Sequence, residues 1–194
     1  MKQITQTQHI VLFLFALIVV ACKGTTAPTT NVFKNLNPDE RLAEVFEIQL
    51  KATVNHNDEF RIYYTTKETT EFSENQVIRV KIVGLSEEQT IIYKFPLGIY
   101  PSNFRLDFGF NSNQQTTEIN AMIFIDGQQK KVIDGKNLLE YFSILYGTGR
   151  FDKNLKQLQR LNDKGLSTII IAKKKLIKQI FHNKKDQTQN VNQS

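Results

Sequence analysis

The sequence predicts a mainly β protein: an antiparallel, jelly-roll-like β-sandwich with a short, helical, basic C-terminal extension. Three observations predict it. Apolar and polar residues alternate along several short segments between residues 45 and 125, the period of a half-buried strand. Clusters of Asn, Asp and Gly separate those segments at nearly regular spacing, as turns do in sandwiches. No long apolar stripe at helical spacing occurs in that stretch.

The elements follow in order. Asn37, Pro38, Asp39 and Glu40 are a helix-start signal, with a capping Asn, Pro at the first helical position and acids in the first turn. Strand patterning takes over soon after, so only a turn or two is expected. Val45–Val54 is the first strand, with Phe46, Ile48, Leu50, Ala52 and Val54 on one face. Asn55–Asp58 turns the chain. Further strands are expected over Phe60–Thr65, Val77–Val83, Gln89–Phe95, Phe104–Phe110 and Thr117–Ile125, the last closed by Asp126 and Gly127.

Beyond this the pattern changes. Lys136–Tyr146 has apolar residues at helical spacing. Phe151–Leu161 carries Leu155, Leu158 and Leu161, with Asp152 as an N-cap, and is expected to be helical. Thr168–Ala172 is a very apolar short strand, suited to adding to a sheet edge. Lys173–His182 is expected to form a basic amphipathic helix, and Gln187–Ser194 a disordered tail.

Composition narrows the function. The chain has 194 residues, 40% hydrophobic and 23% charged, which suits a globular domain and excludes collagenous or fully disordered chains. The single Cys excludes an internal disulfide and a multi-cysteine zinc cluster. The net charge of +6 is unevenly spread: residues 1–127 hold 11 basic against 14 acidic residues, and residues 128–194 hold 14 against 5. A basic C-terminal third suggests attraction to an anionic surface.

The N-terminus gives an address. Lys2 precedes an apolar run of 12 residues, Ile10–Ala21. A bilayer-spanning helix needs about 20, whereas a signal-peptide core needs about this many. The run ends in Val19, Val20, Ala21 and Cys22, which resembles the lipobox of bacterial lipoproteins. The resemblance implies cleavage before Cys22 and lipidation of its thiol and amino group, and several acyl chains on one residue anchor stably. Lys23 stands where Asp would favour inner-membrane retention, so the outer membrane is expected, on either face. The organisation expected is a signal peptide over 1–21, lipidated Cys22 and tether over 22–36, sandwich over 37–134, extension over 135–186 and tail over 187–194.

No motif carries catalysis. His9, His56 and His182 share no metal-ligand spacing. Gly147, Thr148, Gly149 and Arg150 lack the Lys-Ser/Thr of a P-loop and are expected to be a turn. Asp107 and Asp126 are the carboxylates weighed for glycoside hydrolysis. For Asp107, pairing with Arg105, Arg79 or Lys81 is the simpler expectation, since Arg105 and Asp107 share a strand face. Asp126 suits a turn cap. No metal, cofactor or nucleic-acid partner is expected.

Binding residues are a better prospect. Sugar rings stack on aromatic faces, and Tyr63, Tyr64, Tyr93, Tyr100 and Phe104 are the rings that could serve, most of them expected to pack in the core or at an edge. Tyr64 and Tyr100 are the candidates. Tyr63 and Tyr64 are adjacent, so one must leave the core, and Tyr100 lies beside Pro101 in an expected loop. Arg105 and Asp107 are candidates for fixing a ligand hydroxyl. Lys173, Lys174, Lys175 and Lys178 are candidates for an anionic surface.

With these elements placed, residues from about Val45 to Phe142 resemble a β-sandwich module of small lipoproteins and surface-polysaccharide proteins of Gram-negative bacteria. The segments concerned are Val45–Ile48, Gln76–Gly84, the Arg105–Gly109 strand and Gly135–Phe142. The resemblance implies a carbohydrate-module-like sandwich in a glycan context and brings no catalytic residues. The expected function is a lipid-anchored, non-catalytic cell-envelope binding module for a glycan. The alternative is an accessory or assembly lipoprotein that docks to another envelope protein through the Thr168–Ala172 edge or the basic tail, and the third is a glycan hydrolase.

Overall fold

The computed structural model describes residues 45–161 and 167–181. The lipobox with Cys22, the tether, the Asn37 helix start, His182 and the tail over 187–194 lie outside them.

The described chain is two antiparallel sheets packed face to face. The strands are β1 (Glu47–Val54), β2 (Asp58–Thr65), β3 (Val77–Ile82), β4 (Leu85–Lys94), β5 (Asn103–Phe108), β6 (Thr116–Asp126), β7 (Gln129–Asp134), β8 (Phe142–Ile144), β9 (Gly149–Asp152), β10 (Gln157–Arg160) and β11 (Thr168–Ala172). A 3₁₀ turn (Gly135–Asn137) and a single helical turn, α1 (Leu138–Tyr141), join β7 to β8, and helix α2 (Lys174–Phe181) follows β11.

One sheet runs β4-β1-β6-β10-β9, with β7 added to the second half of β6, and the other runs β3-β2-β5-β11-β8. The two orders run in step. Each place in one sheet is held by the chain neighbour of the strand in the matching place of the other. The chain therefore passes repeatedly between sheets, and antiparallel pairing gathers these crossings at one end. The start of β2 lies beside the ends of β3 and β5, the end of β5 beside the start of β11, and the start of β6 beside the end of β10.

Alternation explains the core. Ile48, Leu50, Ala52 and Val54 of β1 are fully buried, and Phe60 and Ile62 of β2 and Phe104 and Leu106 of β5 face them. Leu176 and Ile180 of α2 close the core at the end away from the crossings, where Phe181 packs on Phe46 and Tyr100. That burial, rather than propensity, holds so short a helix.

The mainly β class and the six early strands agree with expectation. The Thr168–Ala172 strand and a helical turn within Lys136–Tyr146 agree too, but the organisation expected for residues 135–172 does not. They form no separate extension, because β8 to β11 complete both sheets and the sandwich runs to Ala172. The Phe151–Leu161 segment is a hairpin, β9–β10, and Asp152 accepts from Asn154 N and Leu155 N in its turn instead of capping a helix. Leu155 and Leu161 are exposed while Leu158 is buried, so no apolar helix face exists to be covered. β11 is interior, paired with β5 on one side and β8 on the other, and offers no free edge for docking. It is apolar on both faces for that reason.

A candidate anion groove beside helix α2

Four of the sequence candidates lie on or near β2 and β5. Tyr64 shares the inner face with Phe60 and Ile62. It is 7% exposed and its ring meets Phe95 at 5.2 Å, so it is a core residue rather than a platform. Tyr63 takes the outer face, yet it is covered. Its hydroxyl donates to Glu74 Oε1 at 2.6 Å, which lowers the pKa of that carboxyl, and the Arg105 guanidinium lies 4.4 Å above its ring. Phe72 flanks the same guanidinium, and Arg61 stacks on Phe110. The rings of Tyr63, Phe72 and Phe110 thus each already carry a guanidinium on one face. Tyr100 packs edge-on against Phe181 behind α2 and is not the exposed loop ring expected. The fully exposed ring is Tyr146, in the β8–β9 connection at the other end. Sequence reasoning missed it because it follows apolar residues at apparent helical spacing.

Arg105 and Asp107 pair with each other, Nε to Oδ1 at 3.2 Å and Nη2 to Oδ2 at 3.3 Å. Asp107 is 4% exposed. Burial holds its carboxyl above the ordinary value of 3.8, with Arg105 opposing the shift only in part. The native state therefore keeps this proton to higher pH than the unfolded chain. Above 3.8 the native state binds more of it, so stability falls as pH rises through the interval up to the native value. Asp107→Asn removes the titration. Relative to wild type, the variant's urea midpoint is expected to gain as pH rises from acid to neutral, and the variant to be no less stable at neutrality. An unchanged pH slope would place the titration on another group.

Asp107 lies on β5 and Asp126 at the end of β6, in opposite sheets. Among the described residues no group of three or more His, Cys, Asp or Glu is placed to hold a metal ion.

The four lysines divide. Lys173 Nζ donates to Leu139 O at 2.6 Å. Lys175 lies 3.8 Å from Glu140 and 4.7 Å from the Tyr141 ring. Lys174 and Lys178, one helical turn apart, line a groove of about 510 Å³ together with Lys67. None of these three forms a salt bridge among the described residues.

Topology builds this groove. Thr65 pairs with Asn103, and β11 lies beside β5, so the end of β2, the start of β5 and the helix after β11 meet at one end of one sheet. The rim is rich in hydroxyls: Thr65, Thr66, Thr69, Thr70 and Ser102, with Asn103. The loop after β2 braces itself. Thr66 N donates to Thr69 Oγ1 at 2.9 Å, Thr69 Oγ1 to Gln76 Oε1 at 2.8 Å, and Thr66 Oγ1 to Glu68 Oε2 at 2.6 Å. The Thr70 and Ser102 side chains make no hydrogen bond among the described residues. No carboxylate lines the groove. Ile177 and the stems and methyl groups of the lysines and threonines make most of its lining surface apolar, the ammonium groups and hydroxyls are its polar points, and the Glu68 carboxylate accepts from the rim hydroxyl of Thr66. Lys67 and the Thr-rich loop were missed because their role depends on where α2 docks, which strand patterning alone does not fix.

Comparison of the chain with protein-family models, with curated proteins and with solved structures gives no match.

Proposed function

We propose that this chain is a lipid-anchored, non-catalytic module of the cell envelope that binds an anionic glycan in the Lys67–Lys174–Lys178 groove. The observation that carries the reading is the convergence of three lysines and a hydroxyl rim with no carboxylate among the lining residues. Ammonium groups attract carboxylate, sulfate or phosphate substituents, and Thr and Ser hydroxyls exchange hydrogen bonds with sugar hydroxyls. The anchor rests on the lipobox at Cys22, and an outer-membrane site on Lys23. A second reading, docking to an envelope protein, is favoured by Leu145, Tyr146 and Leu161, all exposed near the crossing end.

The full chain, held in neutral detergent, tests both parts. Dextran sulfate is expected to bind and neutral dextran to bind far more weakly. K174E/K178E is expected to weaken dextran sulfate by about ten-fold or more at physiological salt, where several charge contacts act together. K81E/K94E makes the same change in net charge away from the groove and is expected to have little effect. Equal losses in the two variants would reduce the binding to net charge and overturn the site. Labelled palmitate is expected to enter the wild-type chain and not Cys22→Ala, and equal labelling would overturn the anchor.

A further inference from the structure

We infer that the groove is one half of a track that crosses α2 and takes a polyanionic glycan chain, not a single charged unit. This rests on the anionic-glycan reading above.

A second concavity, of about 580 Å³, lies on the other flank of α2. The β6–β7 hairpin supplies Gln129, Lys130 and Lys131 to it, and α2 supplies Gln179 and Ile180. Its one lining acid, Asp126, is 6% exposed, so it meets solvent less than the lysines do. The helix is therefore a shared wall, with Lys174 and Lys178 facing one groove and Gln179 the other.

The crest between the grooves is basic as well. Leu176 and Ile180 are buried and Ile177 and Phe181 pack against the same core, and at 100° per residue the side of the helix opposite these four carries Lys175, flanked by Lys178 and Gln179. Lys175 and Lys131 approach the same ring: their ammonium groups lie 4.7 and 5.2 Å from the Tyr141 centroid. That ring joins the crest to the second groove. Lys67, Lys174, Lys178, Lys175, Lys131 and Lys130 thus follow one another from groove to groove. Two exposed acids stand beside this line: Glu140, which pairs with Lys175 at 3.8 Å, and Glu68, which accepts from Thr66 Oγ1 next to Lys67.

Shape selects the partner. A flexible chain of repeated acidic sugars can follow a groove, rise over the crest and enter the next groove. A flat bilayer would touch the crest and leave both concavities empty. Binding such a chain releases counterions in proportion to the contacts made, so affinity and salt sensitivity grow with chain length until the track is full.

Oligogalacturonates, which carry one carboxylate per sugar, are the probe. With the full chain in neutral detergent, affinity is expected to climb about ten-fold or more from the disaccharide to long oligomers, beyond the gain from counting equivalent sites. K130E/K131E is expected to abolish most of that gain and leave disaccharide affinity unchanged, while K174E/K178E weakens both. Length-independent affinity, or long-oligomer binding indifferent to K130E/K131E, would overturn the track and leave the single groove standing. Loss of phosphatidylglycerol-vesicle binding in K130E/K131E, with no length-dependent gain on oligomers, would replace the track with a membrane contact. No binding of any oligomer would overturn the track and the glycan reading together.

Discussion

Gly109→Ala is expected to lower folding stability by about 2.5–5 kcal/mol, the sum of a backbone penalty and a lost set of charge-assisted hydrogen bonds. Gly109 follows β5 at φ +64, a conformation that costs an alanine about 1–2 kcal/mol. An added Cβ would also lie 1.9 Å from Asp58 Oδ2. That carboxylate organises the β5–β6 connection: its Oδ1 accepts from Phe110 N and Glu59 N, each at 2.8 Å, and Asn111 N reaches Oδ2 at 3.2 Å. Moving it aside breaks bonds to a charged acceptor, worth about 1.5–3 kcal/mol. Gly98 separates the two causes. It has φ +75 and nothing within 4 Å of the position a Cβ would take, so Gly98→Ala is expected to show the backbone penalty alone. Urea unfolding of both variants checks this, and equal costs would remove Asp58 from the explanation.

Arg160→Met is expected to cost about 2–4 kcal/mol, because it leaves carbonyls without their charged donor. Arg160 ends β10 in one sheet and is 9% exposed. Its Nη1 donates to Asn111 O at 3.0 Å and its Nη2 to Gly109 O at 2.9 Å. Both acceptors belong to the connection that leaves β5 of the other sheet, so a single side chain ties the two layers at the crossing end. Methionine fills comparable volume and supplies no donor. Arg160→Lys keeps the charge with one ammonium in place of the fork and is expected to fall between the two. A methionine variant as stable as wild type would show that solvent satisfies these carbonyls unaided.

These two residues show why the ends of the sandwich were harder to foresee than its strands. β1 is legible because every second residue from Phe46 to Val54 is apolar and each is buried. β10 is not. It has four residues, its one buried apolar side chain is Leu158, and the leucines around it fall by chance at helical spacing. β7, with sequence QKKVID, was missed because a half-exposed strand on the flank of β6 needs only Ile133 inward. β11 was legible as a strand but not as an interior one, since nothing local says that β8 will cover its second side.

The candidate site divides in the same way. The basic amphipathic helix was foreseen over Lys173–His182 and stands at Lys174–Phe181, because Leu176 and Ile180 bury against the core. The separation of Lys174 and Lys178 from Lys173 and Lys175 follows from helix geometry once the buried side is known. Tyr64 failed as a surface candidate through strand parity: the register that buries Phe60 and Ile62 must bury it too. Thr65–Thr70, Ser102 and Asn103 carry no chemical signature alone, and only the pairing of β2, β5 and β11 brings them to the lysines.

The measurement that tests the central claim most directly is an amide chemical-shift map of the isotope-labelled protein titrated with a sulfated disaccharide. The account predicts shifts that saturate together over Thr65–Thr70, at Ser102 and Asn103, and along Lys174–Lys178. Shifts confined to Leu145, Tyr146 and Leu161, or to the face around Arg61 and Arg105, would contradict it, as would a titration that moves none of these amides.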